Sequence, residues 1–166
     1  MYNYNYNYIF IYILNMKKKE WGNAVWLLFH TLAFKLKDEY TSELPILISN
    51  ISAICNHLPC PDCQQHASSV MNNINKSHLS SSKNALINFL WEFHNHVNKK
   101  IKGEFYPKEK LSIYETANTK NVISNFINIM KATSNNEKTM MYGFHRTLYI
   151  KKFITYINEN GYKYNL

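Results

Sequence analysis

Apolar residues recur along this chain at three- and four-residue spacings, the period of helices that turn one face inward. Val25, Leu28, Leu32 and Leu36 keep that spacing, with Trp26 and Phe29 beside them, and predict a helix over residues 20–38. Leu44, Leu47, Ile48, Ile51 and Ile54 predict a second over residues 42–57. Pro45 falls in its first turn, where the N–H that proline lacks would have no helical partner anyway. Pro59 and Pro61 interrupt the pattern, and a third helix is expected over residues 61–73. The polar, serine-rich stretch 75–83 reads as a loop. Leu86, Leu90, Phe93, Val97 and Ile101 form the clearest stripe and predict a helix over residues 84–102, closed by Gly103 as a C-terminal cap. Residues 104–111 read as irregular around Pro107. Ile123, Phe126, Ile127 and Met130 predict a helix over residues 116–132. Leu148, Ile150, Phe153, Ile154 and Ile157 predict another over residues 138–160. There is no internal repeat and no alternation of strands with helices. One-sided stripes joined by short connections predict an all-α helical bundle.

The chain has 166 residues, enough for one domain with one sizeable core. Residues 1–15 stand apart: Tyr and Asn alternate up to Tyr8, a strand period, and a short apolar run follows. That run is too short to span a bilayer and lacks the marks of a secretory signal. Met16, followed by Lys17, Lys18 and Lys19, offers an alternative start, so residues 1–15 are expected to be a disordered or mis-called extension. The net charge is +8, but the lysines are scattered and accompany no nucleic-acid motif, so binding to nucleic acid is not expected. The abundance of Asn, Lys, Ile and Tyr is the bias of an AT-rich genome, such as those of many large DNA viruses.

Three cysteines, Cys55, Cys60 and Cys63, are too few for a disulfide-stapled scaffold. Cys60-Pro61-Asp62-Cys63 is a pair that can meet at disulfide distance when it opens a helix, whose N-terminus stabilises a thiolate. A redox disulfide is one reading. A zinc site built from His57, Cys60, Cys63 and His66 is another. Buried structural thiols are a third. The spacing alone favours redox chemistry only modestly.

Two other segments bear on the choice. Trp26 and His30, four apart, share a helix face; taken alone they read as a core tryptophan and a satisfied histidine. Trp91, His94, Asn95 and Asn98 lie on the flank of the fourth helix's apolar stripe, where a plain bundle helix rarely places them. Such a flank suits either a planar cofactor with polar edges or a polar network between helices.

Taken in order, Trp26/His30, Cys60/Cys63 and His94-Asn95-His96-Val97-Asn98 resemble the Erv/ALR family of FAD-linked sulfhydryl oxidases, over roughly residues 19–110. The resemblance implies a four-helix bundle with a short fifth helix in residues 16–115, an additional C-terminal helical segment in residues 116–166, and a homodimer. It implies FAD held by Gly22, Trp26, His30, Trp91, His94, Asn95, Val97, Asn98 and Lys99. Cys60 and Cys63 would be the catalytic pair, with Cys63 nearer the flavin and Cys60 attacked by a thiol-containing protein substrate, which includes the possibility of a small redox relay protein. Electrons would leave through FAD to O2, giving H2O2, and the protein would work in a host cytoplasm or virion with no membrane span. The chain departs from the family in several places. Asn23 stands where arginine is usual and Phe34 where tyrosine is. Ile101-Lys102-Gly103 replaces Leu-Gly-Lys, and a later tryptophan is missing, with Tyr114 as the candidate substitute. There is no second cysteine pair, so direct oxidation of a partner dithiol is expected. Cys55 is read as a buried small hydrophobe rather than an intersubunit bridge.

Overall fold

The computed structural model describes residues 4–132 and 140–166, with side chains described for 18–132 and 143–166. Its helices are α1 (Tyr4–Lys35), α2 (Leu44–Cys55), α3 (Pro61–Asn73), α4 (Lys76–Leu79), α5 (Lys83–Lys100), α6 (Ile113–Thr116), α7 (Thr119–Ala132) and α8 (Met140–Asn160). Short 3-10 turns at Asp38–Glu43, Lys108–Ser112 and Gly161–Lys163 join or follow them. Among the described residues there is no strand, only an isolated bridge between Leu36 and Tyr164.

Most residues of the predicted stripes lie in the core or pack against it. Val25, Leu28, Leu32 and Leu36 of α1 are buried, as are all five expected residues of α2 and Leu86, Leu90 and Phe93 of α5. They form one cluster with Ala67 and Met71 of α3. The bundle α1, α2, α3 and α5, with the short α6, is the expected all-α architecture. The segment beyond it completes the same core. Val122, Ile123, Phe126 and Met130 of α7 and Ile150 and Phe153 of α8 join that cluster, and the α1–α7 packing is the most extensive between any two described elements.

Several expectations need correction. The stretch read as a loop, 75–83, contains α4, a single turn capped by the Asn75 side chain on the His78 N–H. α1 extends back to Tyr4, so residues 4–15 are helical in backbone, and residues 1–3 lie outside the described residues. No proline lies between Tyr4 and Lys35, and extending a formed helix costs far less than starting one. Ile101 is exposed because the chain leaves the helix there. Gly103 is not the left-handed residue. Lys102 is, at φ 55°, followed by the 6→1 bond from Gly103 N–H to Asn98 O at 2.8 Å and the bond from Lys102 N–H to Lys99 O at 3.3 Å. Leu148 is exposed, because the inward face of α8 runs through Arg146, Tyr149, Ile150 and Phe153. That face carries the chain's single arginine, which apolar periodicity does not register.

Candidate functional site

Cys60 is the N-cap of α3, with Pro61 next in the first turn. Its Sγ accepts from the Cys63 N–H at 3.3 Å, and the two cysteines form a disulfide with Cα atoms 5.1 Å apart. Both are half-buried against the core. The helix therefore starts where a backbone N–H and the dipole's positive end meet sulfur, the environment that favours a thiolate.

A column of rings stands between α1, α5 and the segment after α5. Trp26 stacks on His94, with centroids 4.3 Å apart and planes 9° from parallel. Phe93 meets Trp26 edge-on at 5.2 Å. His30 lies under His94, Nε2 to Nδ1 at 3.3 Å, and stacks on Tyr114 at 4.6 Å. Tyr106 covers the other side of His94 at 5.3 Å. Burial, reinforced by His94 nearby, holds the His30 pKa down to about 3, and burial holds His94 at about 4. Both imidazoles are neutral at ordinary pH, so they stack on the neighbouring rings with no charge to solvate. Burial also pushes the Tyr114 phenol up, so it remains protonated.

Three of the expected cofactor residues hydrogen-bond to the backbone of the segment after α5. Trp91 Nε1–H donates to Tyr106 O at 2.8 Å. Asn95 donates to that carbonyl at 3.1 Å and accepts from the Tyr106 N–H at 2.7 Å. Asn98 donates to Glu104 O at 2.9 Å. These side chains clip the segment 104–106 onto α5 and so set Tyr106 against His94. Val97 packs on the core, and Lys99 is exposed on the last turn of α5. Gly22 sits one turn before Trp26, and a Cβ there would meet nothing within 4 Å.

The stacked pair His66–His96, centroids 5.3 Å apart, ties the first half of α3 to the C-terminal part of α5. His66 is three residues after Cys63, and His96 two after His94. A single ring contact thus links the helix that carries the disulfide to the helix that carries His94. An open depression of about 450 Å³ begins at Tyr106 and is lined by Lys110, Ser112, Ile113, Glu115 and Thr116.

The ligand set of a zinc site is not assembled. His57 Nδ1 is bonded to Ala53 O at 2.7 Å, His66 lies flat on His96, and both sulfurs are in the disulfide. Among the described residues no three His, Cys, Asp or Glu side chains gather to hold a metal. Cys55 is free and buried at the end of α2, where desolvation pushes its thiol up to about 12. A thiol in that state is neither nucleophile nor available bridge.

With the order of Trp26/His30, the α3 disulfide and the α5 motif now placed in space, the sequence comparison becomes decisive: the Erv1 / Alr family model matches residues 23–116. The chain belongs to the Erv1/Alr family. Among its relatives is "Putative FAD-linked sulfhydryl oxidase 096R" of Invertebrate iridescent virus 3, 33% identical over 89 residues, which are 53% of this chain and 60% of that protein. Another is FAD-linked sulfhydryl oxidase ERV1 of Oryza sativa subsp. japonica, 28% identical over 100 residues, 58% of this chain and 50% of that protein. The chain therefore spans 50% to 60% of the length of these relatives. No solved structure matches it at comparable significance. The family region contains the cysteines, the motif residues, Tyr106 and Tyr114. It leaves out Gly22, α7 and α8.

Tyr106 was missed by sequence reasoning because it lies in an irregular segment where periodicity carries no information. The signal that marks it is chemical: Trp91 and Asn95 share one face of α5 and both need partners off the helix. Arg146 and Tyr149 of α8 were missed as well, and they bear on the turn before Cys60.

Proposed function

We propose that this protein is a FAD-dependent thiol oxidase that makes disulfides in partner proteins through Cys60–Cys63. The observation that carries the reading is the Cys60–Cys63 disulfide at the N-terminus of α3 in a chain of this family. In this reading the oxidase unit spans residues 16–115, with residues 116–166 as added helices that pack on the same core.

The residues suit a flavin. His30 Nδ1 is buried with no hydrogen-bond partner among the described residues. Gly22 leaves open space on the same helix, Trp26 and His94 form a flat, uncharged stack, and the depression at Tyr106 adds room beside Lys110 for a longer, anionic tail. Gly22, Trp26, His30, His94 and Tyr114 are the contacts this arrangement supports best. Trp91, Asn95 and Asn98 support the site through the clipped segment, and Val97 through packing. Lys99, exposed on the last turn of α5, would serve a phosphate. When bound, FAD supplies two-electron acceptance from a dithiol and delivery to O2, which leaves as H2O2.

The chain's own part is thiol–disulfide exchange. A substrate thiolate attacks Cys60 Sγ, a new S–S bond forms, and the Cys60–Cys63 bond breaks with Cys63 leaving as thiolate. A second substrate thiolate displaces Cys60, whose sulfur leaves as a thiolate already facing the Cys63 N–H. The substrate departs as a disulfide and the protein holds a dithiol. With Cys55 buried, no second exchangeable pair exists among these residues, which supports a partner dithiol, in a protein substrate or a small relay protein, as the direct donor. A homodimer and a setting in the host cytoplasm or virion of a large DNA virus are supported by the family and by the viral relative.

The test is the visible spectrum of the purified protein with bound metal assayed on the same sample. A yellow protein that releases FAD and consumes oxygen with dithiothreitol is expected. A colourless protein with stoichiometric zinc overturns the reading.

A further inference from the structure

The turn His57-Leu58-Pro59 joins α2 to Cys60, and α8 holds it from outside the family region. Arg146 Nε–H donates to His57 O at 3.1 Å. The Tyr149 ring lies on the His57 imidazole, centroids 4.9 Å apart and planes 11° from parallel. The Tyr149 hydroxyl donates to Asn50 O at 3.1 Å, two turns back on α2. From the other side, Ser68 of α3 bonds the Asn56 side chain at 2.5 Å and Gln64 bonds the Asn56 carbonyl.

Arg146 is the single arginine among the 19 basic residues and is 2% exposed. In a chain that otherwise uses lysine for every positive charge, burying this one is costly unless its planar, many-donor head has work that an ammonium does poorly. An α2 terminus and a two-proline entrance leave few backbone bonds to fix the turn. The stacked ring and the guanidinium supply that restraint from a distant helix.

We propose that α8 holds the turn that leads into the redox disulfide, with Arg146 and Tyr149 as positioning residues that set how closely Cys60 and Cys63 are held for exchange. The proposal rests on the thiol-exchange reading of the pair. Held sulfurs have a high effective concentration toward each other, and a loosened turn lowers it, so the disulfide becomes easier to reduce.

The test is the equilibrium of the Cys60–Cys63 disulfide with reduced and oxidised dithiothreitol, read by mass tagging of the thiols. In that exchange one disulfide is reduced as the other forms, so the measurement is independent of FAD and oxygen. Arg146→Met and Tyr149→Leu are each expected to shift the equilibrium toward dithiol by about five- to tenfold. Tyr149→Phe keeps the ring and loses only the hydroxyl, so its equilibrium is expected to stay within about twofold of the unaltered protein, even where its melting temperature falls. Arg146→Met and Tyr149→Leu proteins that melt lower but keep the original equilibrium would overturn the proposal and leave α8 a packing element. If Arg146→Met does not accumulate as folded protein, the contrast between Tyr149→Leu and Tyr149→Phe carries the decision. Absence of bound FAD would count against the oxidase reading and leave this equilibrium measurable.

Discussion

Trp26 of α1 and His94 of α5 lie face to face, 4.3 Å between ring centroids and 9° from parallel, although 68 positions separate them. Their stacking joins the first and last helices of the four-helix bundle at the ring column. If FAD packs against this stack, Trp26→Ala removes one of its rings. An aromatic contact of about 1 kcal/mol corresponds to flavin affinity weakened by roughly fivefold or more. Fluorescence titration with FAD checks this, and undiminished affinity would move the cofactor elsewhere.

Cys63→Ser is expected to abolish turnover with dithiothreitol while the protein keeps its flavin, because the exchange loses its leaving thiolate. Oxygen-electrode rates beside the absorption spectrum of the same sample decide it. Retained turnover would show that Cys60–Cys63 is not the working pair.

Gly22 separates stability from binding. Nothing lies within 4 Å of a Cβ built there, and glycine inside a helix costs about 0.5–1 kcal/mol relative to alanine. Gly22→Ala should raise the melting temperature of the flavin-free protein and weaken its hold on FAD. An equal or tighter flavin complex would remove Gly22 from the site.

The buried His30 imidazole and the half-buried His94 imidazole make stability depend on pH. Their folded pKa values, about 3 for His30 and about 4 for His94, lie below the unfolded value near 6.5, so the unfolded chain binds more protons between those limits. The contribution is fully present above pH 6.5 and is lost as pH falls toward 4, where His94 begins to protonate in the folded state, and on toward 3 for His30. Each group contributes a slope of about 1.4 kcal/mol per pH unit at most, less for His94, whose exposed edge is screened. Urea unfolding of the flavin-free protein at pH 7, 6 and 5 should show it, with a shallower slope in His94→Gln. A flat profile would mean the rings are not buried as a neutral pair.

Lys102 occupies the left-handed position that glycine usually takes, at φ 55°. Lys102→Gly relieves strain of about 1 kcal/mol, which for a chain of this size raises the melting temperature by roughly 2–4 °C. An unchanged or lower melting temperature would mean that the lysine side chain repays the strain.

By itself the sequence determined the all-α class, the core faces of α1, α2, α5 and α7, and the placement of Cys60–Cys63 at a helix start. Those features rest on local periods and on prolines, which act within a few residues. It also held the ordered motifs that led to the family. Only the tertiary structure decided how those motifs are used. Trp26, His30 and His94 meet in one column, while Trp91, Asn95 and Asn98, from the same helix flank as His94, turn to the backbone at Glu104 and Tyr106. A hydrogen-bonding side chain carries no mark of which distant carbonyl it will find. Arg146 is the clearest case: a solvated charge by composition, it is buried on the inward face of α8 because the His57 carbonyl waits there. That acceptor lies 89 residues away, beyond the reach of any local pattern.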